Sequence, residues 1–339
     1  MIGDPIISKG ITLTRHLLDD RTPVEGDLGA LLIKIGSASK LVSREVNRAA
    51  LHGKLGYTGE INVQGEQIAQ LDLWSNEMLV DALKETGLVC TMVSEEMEAP
   101  LHVDRNCLPG SYVVCFDPVD GSSNIDINGT VGTIFSVRHR RGHGREHVTA
   151  DILRKGTEQV AAGYVMYGPS TMFVYAAGQA VQGFTWDHAL DDYVLTHPDI
   201  RIPRRGKTYS VNHGNYHRWS EQTRRAVDYL GTPDKATGRP YSLRYVGSMV
   251  ADLHRTLLEG GLFMYPGEAG GGKNANGKLR LLYEVAPMAY IVEQAGGRAS
   301  TGDERILDIE PSEYHQRVPI IIGSPDDVVL AEEFYQGKR

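Results

Sequence analysis

The sequence predicts an α/β (α+β layered) fold, with helices packed on an antiparallel or mixed sheet. Three observations carry this expectation. The first 86 residues hold two stretches with apolar side chains at helical spacing. Residues 88–187 break into short Val-rich runs, each closed by glycine or a polar turn. Beyond residue 200, strand-like and helical runs alternate.

The elements follow in chain order. Residues 27–51 read as an amphipathic helix, with Leu28, Leu31, Leu32, Ile35, Ala38, Val42 and Val46 on one stripe. Asp27 places negative charge at its start. Residues 52–65 contain Gly53, Gly56, Gly59 and Gly65 and read as a mobile loop, long enough to be functional. A second helix over 66–86 stops at Gly87. Runs at 88–93 and 111–116 read as buried strands, followed by strands at 131–137, 160–167, 171–177 and 181–187. Later strands fall at 207–211, 261–265 and 318–322, and helices near 217–230, 249–259, 279–295 and 325–336. Pro198, Pro203 and the basic stretch 201–207 mark a boundary, which divides the chain into halves 1–200 and 201–339. There is no internal repeat, and 267–277 is a Gly-rich surface loop.

Hydrophobic residues make up 41% of the 339 and charged residues 23%, enough for a sizeable core. The net charge of −8 argues against a nucleic-acid partner, which needs a basic surface. It leaves room for an anionic small molecule, because a bound cation inverts the field of one pocket. Cys90, Cys107 and Cys115 form no CxxC pair, and the apolar runs around Cys90 and Cys115 predict buried free thiols in a reducing compartment. Residues 1–10 lack the pattern of a signal peptide, and no run of about 18 apolar residues occurs. A soluble, cytoplasmic protein without membrane contact is expected.

The most informative stretch is Cys115-Phe116-Asp117-Pro118-Val119-Asp120-Gly121-Ser122-Ser123-Asn124. An apolar strand runs into two aspartates three residues apart, with Pro118 stiffening the backbone between them and Gly121 permitting a tight turn. Such carboxylates suit a hard divalent cation, and backbone N–H groups after Gly121 suit a phosphate. Asp117-Pro118 alone would mean only a turn; packing requires neither the second aspartate nor the serines. Glu95 and Glu96 end the preceding strand, and two neighbouring strands ending in acids would converge. Asp72 lies beside Leu71 near the apolar side of its helix, where a carboxylate must be paired, protonated or coordinated. Glu284 sits inside an apolar stretch, either as a salt-bridged glutamate or as a ligand. Acids gathered this way repel one another unless cations lie between them, and two cations roughly 3.5–4 Å apart suit phosphoryl chemistry.

Other motifs fail. The run from Gly267 to Lys273 approaches a nucleotide phosphate loop, but Asn274 replaces the required hydroxyl. No HExxH or GxSxG occurs, and the basic run 138–145 reads as a solvated loop.

At this point the chain resembles the lithium-sensitive, metal-dependent sugar and inositol phosphatase superfamily, and within it class I fructose-1,6-bisphosphatase. The matching strings are NVQGEQIAQLD (62–72), VSEE (93–96), FDPVDGSSNID (116–126), VGTIFSV (131–137), RYVGSMVADLHRTL (244–257), GLFMYP (261–266) and GKLRLLYE (277–284). The resemblance implies an alternating α-β-α-β-α sandwich of the sugar phosphatase type. Residues 1–200 would form an allosteric-type half carrying most metal ligands, and 201–339 a substrate-binding, catalytic half. The implied reaction is hydrolysis of D-fructose 1,6-bisphosphate to fructose 6-phosphate and phosphate by metal-activated water, in gluconeogenesis and sugar phosphate metabolism. The implied cofactor is Mg2+, two or more ions per site, with Mn2+ or Zn2+ as substitutes. Glu95, Asp117, Asp120, Glu284 and the Val119 carbonyl match its ligands. Glu96, supported by Asp72, matches the group that takes a proton from the attacking water. Asp120, Gly121, Ser122, Ser123 and Arg280 belong around the sugar and its 1-phosphate. Asn212, Tyr245, Tyr265 and Lys278 match residues holding the 6-phosphate. Arg244 matches an arginine that enters a neighbouring subunit's site, which implies a homotetramer.

Several positions depart from the family pattern. Glu66 stands where an aspartate swings in with the mobile loop, and its reach still allows a metal ligand. Asn215 replaces a tyrosine that touches the 6-phosphate, with Tyr216 beside it as a substitute. The loop 267–277 is longer than usual. The AMP-binding helix start is replaced by Glu25-Gly26-Asp27-Leu28-Gly29, and Ser111, Arg138 and His139 replace further AMP-site residues, so AMP inhibition is expected to be weak, absent or differently built. The chloroplast form's cysteine-bearing insertion is missing, so thiol regulation is not expected. The rival readings are a sedoheptulose-1,7-bisphosphatase or dual-specificity enzyme, and a catalytically silent regulatory homologue.

Overall fold

The computed structural model describes residues 10–19, 24, 26–61, 67–103, 111–141, 147–178 and 180–339. Five layers alternate. The first is helical: a short helix α1 (Leu13–Leu17), the long α2 (Gly26–Val46) and α3 (Gln70–Glu85). The apolar stripe read in the sequence is the buried face of α2, with Leu31, Leu32 and Val42 shielded from solvent. A small hairpin, β1 (Tyr57–Ile61) and β2 (Gln67–Ala69), precedes α3. The stretch 52–65 is therefore not all loop: its described part includes β1, and the second helix starts later than expected because β2 occupies 67–69. The Gly-rich spacing hid a period-2 stretch.

The second layer is an eight-stranded sheet. Its strands are β3 (Val89–Ser94), β4 (Leu101–His102), β5 (Tyr112–Asp120), β6 (Val131–His139), β7 (Ala161–Tyr167), β8 (Thr171–Ala176), β9 (Val181–Asp187) and β10 (Asp192–His197). A short α4 (Val148–Ile152) lies between β6 and β7. The order is β10-β9-β8-β7-β6-β5-β3-β4, antiparallel except for the parallel pair β3–β5. Layers on both faces explain the continuous apolar runs: all nine residues of β5 are buried.

The middle layer is α6 (Met249–Glu259) and α7 (Ala286–Gln294). The fourth is a five-stranded sheet of β11 (Thr208–Ser210), β12 (Ser242–Leu243), β13 (Leu262–Tyr265), β14 (Arg298–Ser300) and β15 (Ile320–Gly323), in order β12-β11-β13-β15-β14. Strand alternation divides its side chains: Phe263, Ile320 and Ile322 face the core with α6 and α7, while Leu262, Met264 and Ile321 pack with the outer helices. That outer layer is α5 (Glu221–Gly231) and α8 (Pro325–Tyr335). The α-β-α-β-α expectation holds.

Two expectations are corrected here. Cys90 is disulfide-bonded rather than a free thiol; of the two described cysteines only Cys115 is free. A bridge depends on Cα atoms meeting at roughly 4.4–6.8 Å across the fold, which chain spacing does not reveal. Tyr216, offered as a substitute for the missing tyrosine, gives its hydroxyl to Asp228 at 2.8 Å instead. No helix among the described residues is long and apolar enough to cross a membrane.

Candidate active site

The acids meet because β3 and β5 are parallel neighbours, with Ser94 opposite Phe116. Their C-terminal ends coincide, and the Glu95 amide donates to the Phe116 carbonyl at 3.2 Å. β5 does not stop before the aspartates, as the turn-like Asp-Pro suggested; it runs through Asp120. The pairing with β6 shifts register between Asp117 and Asp120, the local irregularity expected where Pro118 removes a donor. The Val119 amide donates to Asp117 Oδ1 at 2.9 Å, and the Pro118 carbonyl accepts from the Thr133 hydroxyl at 2.7 Å. The chain then turns at Gly121, whose φ of 76° is left-handed, into a 3₁₀ turn over Ser122–Asn124.

The third acid comes from the other half. Leu281–Val285 form a π-helical turn leading into α7, with Pro287 inside its first turn. Such turns frequently sit at functional sites. Glu284 is 3% exposed, and its Oε2 accepts from the Arg280 amide at 2.6 Å. Glu95, Asp117 and Glu284 each offer an oxygen, all within 4.8 Å of one another. Arg280 lies beside them, 2.7 Å from Glu95 and 3.6 Å from Glu284.

Burial and like charge act together on these groups. Desolvation, then Glu95 and Glu284, raises Asp117 far above the usual carboxylate range. Desolvation pushes Glu284 up to about 8, against the opposing pull of Arg280. Asp72, at the first turn of α3, caps the Ala69 amide at 3.2 Å. Burial and then Glu95 push it up to about 7, while the Ser122 hydroxyl pulls the other way. A site that opposes ionisation of several carboxyls at neutral pH favours a divalent cation among them.

Asp120 is buried but stands outside the tightest triple. Its carboxylate caps α6, accepting from the Ser248 hydroxyl at 2.5 Å, the Met249 amide at 3.1 Å and the Val250 amide at 2.8 Å. Burial raises it to about 6 against those bonds. Among the described residues Oδ1 accepts from Met249 alone, which leaves it a second lone pair.

All these groups line one cavity of about 520 Å3. Glu95, Glu96, Asp72, Asp117, Asp120, Glu284, Val119 and Arg280 form its acidic end, with Gly121, Ser122 and Ser123 beside them. Asn212, Tyr245, Tyr265 and Lys278 line it too. Arg244 does not line the cavity; it is exposed, one residue before Tyr245. Glu66 lies outside the described residues. Tyr57, Gln67, Gly247, Met249, Phe263 and Leu279 also line the cavity and were not singled out. Gln67, Gly247, Met249, Phe263 and Leu279 all fall within the strings that carry the family resemblance, a signal for their place that assigned them no role; Tyr57 lies outside those strings.

Comparison with known proteins agrees with this arrangement. Residues 11–198 match the family model for the fructose-1-6-bisphosphatase N-terminal domain, and 202–336 that for its C-terminal domain. The class 1 fructose-1,6-bisphosphatase of Chlorobium chlorochromatii is 51% identical over 98% of this chain and 100% of its own. That of Oleidesulfovibrio alaskensis is 49% identical over 96% of this chain and 98% of its own. The crystal structure of Leishmania major fructose-1,6-bisphosphatase in holo form superposes with a TM-score of 0.91 at 40% identity, covering 97% of this chain and 99% of that one.

Proposed function

The chain belongs to the class 1 fructose-1,6-bisphosphatase family and hydrolyses fructose 1,6-bisphosphate to fructose 6-phosphate and phosphate, and we propose the residues by which it does so. The carrying observation is the meeting of Glu95, Asp117 and Glu284 beside the Gly121 turn.

Dependence on a divalent metal comes with the family, and the all-oxygen donor set fits Mg2+, with Mn2+ or Zn2+ as substitutes. Glu95, Asp117, Asp120 and Glu284 would hold it, with the Val119 carbonyl and with Glu66 from outside the described residues. When bound, the metal polarises the phosphoryl group and acidifies water. The chain's own groups do the rest. The amides of Gly121 and Ser122 bind the 1-phosphate at the turn, with Ser123 beside them. Arg280 supplies positive charge to the phosphoryl oxygens. Glu96 takes the proton of the attacking water, and Asp72 orients it. Asp120 also binds the sugar. Asn212, Tyr245, Tyr265 and Lys278 hold the 6-phosphate at the far end, where Lys278 acts as a point charge.

The same proposal takes residues 1–200 as the allosteric-type half and 201–339 as the catalytic half, and the enzyme as a cytoplasmic homotetramer in gluconeogenesis. Exposed Arg244 would then enter a neighbour's site. AMP inhibition is weak, absent or differently built, because residues 25–29, Ser111, Arg138 and His139 depart from the family's AMP site.

The test is phosphate release from fructose 1,6-bisphosphate and sedoheptulose 1,7-bisphosphate, with and without Mg2+ and AMP. Mg2+-dependent turnover of the first is expected. Equal efficiency on the second makes the enzyme dual, and full inhibition by micromolar AMP refutes the regulatory reading. Sedimentation checks the tetramer, and cell fractionation checks the compartment.

A further inference from the structure

We infer that the ion pair between buried Asp252 and half-buried Arg255 on α6 is a positioning device for the 6-phosphate end of the site. This rests on the proposed role of Tyr245 there.

Residues 244–247 form an exposed connection between β12 and α6, yet Tyr245 must project into the cavity from it. Tyr245 is 37% exposed and Val246 41%, so core packing does not fix this segment. Four backbone ties do. The Arg244 amide donates to the Tyr209 carbonyl at 2.9 Å. Asp252 Oδ2 accepts from the Val246 amide at 2.9 Å and the Gly247 amide at 3.3 Å. Arg255 Nη2 donates to the Arg244 carbonyl at 3.4 Å. Tyr245 is thus bracketed on both sides. Gly247, at a φ of 88°, permits the turn that aims both amides at one oxygen.

Asp252 is fully buried, a placement carboxylates rarely tolerate without partners. Its other oxygen, Oδ1, accepts from Arg255 Nη2 at 2.9 Å. The same Nη2 reaches the Ser210 hydroxyl at 2.5 Å, two residues before Asn212. One guanidinium therefore joins the two segments that carry Tyr245 and Asn212. Neither Asp252 nor Arg255 lines the cavity, so the pair acts through the segments it holds.

The test compares fructose 1,6-bisphosphate with fructose 1-phosphate, which lacks the 6-phosphate, in wild type, Arg255→Met, Asp252→Asn/Arg255→Met and Tyr245→Phe. In Arg255→Met, KM for the bisphosphate should rise about tenfold or more, with kcat within about threefold. Calorimetric binding of fructose 6-phosphate should weaken by a similar factor, while kcat/KM for fructose 1-phosphate stays near wild type. If the single variant does not fold, the double variant, which leaves no buried charge unpaired, should show the same split. An unchanged KM, or equal losses on both substrates, overturns the inference. If Tyr245→Phe leaves bisphosphate KM and fructose 6-phosphate binding unchanged, the placement of the 6-phosphate is wrong. If only Tyr245→Phe weakens them, the positioning role fails and the placement stands.

Discussion

Gly121→Ala isolates the contact between the Gly121 turn and the N-terminus of α6. Two effects add. The left-handed backbone at a φ of 76° disfavours any Cβ, by about 1–2 kcal/mol. The added Cβ also falls 2.5 Å from Ser248 Cβ and 2.9 Å from Ser248 Cα, where carbon atoms prefer about 3.5–4.0 Å. Because Cα is backbone, no rotamer relieves the clash; α6 must retreat by roughly 1 Å. That overlap costs about 1–3 kcal/mol more, so the total is about 2–5 kcal/mol. At about 2–4 °C per kcal/mol, Tm falls by about 4–20 °C. The retreat also stretches the bonds from Ser248 and Val250 to Asp120, and a displacement of that size lowers turnover about 10²-fold. Gly87→Ala is the control. It has a φ of 67° but nothing within 4 Å of the new Cβ, so only the conformational term of about 1–2 kcal/mol remains. The assays are thermal unfolding and phosphate release. If Gly121→Ala loses no more stability than Gly87→Ala and keeps its turnover, the close packing of turn on helix does not constrain the site.

Asp120→Asn should abolish turnover with the fold retained, at a cost of about 1–3 kcal/mol because the amide nitrogen cannot accept from the N-terminus of α6; near-normal activity would remove Asp120 from the metal set. Ser248→Ala removes the hydroxyl that orients Asp120, and metal affinity should weaken about 10–100-fold, read by titrating the metal against activity and by calorimetry. Stability of the metal-free enzyme should depend on pH in a fixed direction. The folded values of Asp72 (about 7), Asp120 (about 6) and Glu284 (about 8) lie above their unfolded ones. The folded state therefore binds more protons, and the stabilisation, complete below about pH 4, is lost as pH rises through about 6–8. With a chelator present, Tm should fall between pH 5.5 and 8.5, and added Mg2+ should restore it above pH 7; a rise under chelation would contradict the raised values.

Much of this was legible in the chain. Period-3.6 stripes and Val-rich runs identified α2, α6, α8 and the strands from β5 to β9, because each buries a continuous face. Elements with little apolar patterning were not seen. β4 and β12 have two residues each, and β10 carries mostly half-exposed side chains. The hairpin β1–β2 was masked by glycine. Asp-Pro read locally as a turn, yet pairing with β6 at Asp117 and Asp120 carries β5 on past the end of its β3 partner. Tyr216 shows the limit of reading by position: one residue along a 3₁₀ turn sends its hydroxyl to Asp228 rather than into the cavity.

Family membership and the identity of the acids follow from residue types at short spacing, so the sequence by itself determined them. Which acids touch was decided by the tertiary structure. Parallel pairing of β3 with β5 brings Glu95 to Asp117, and the π turn before α7 adds Glu284 from about 170 residues away. The same holds for the Cys90 bridge, the engagement of Asp120 by α6, and the Asp252–Arg255 pair. Each depends on distances set by strand register and layer packing, and these arise from pairings between segments far apart in the chain.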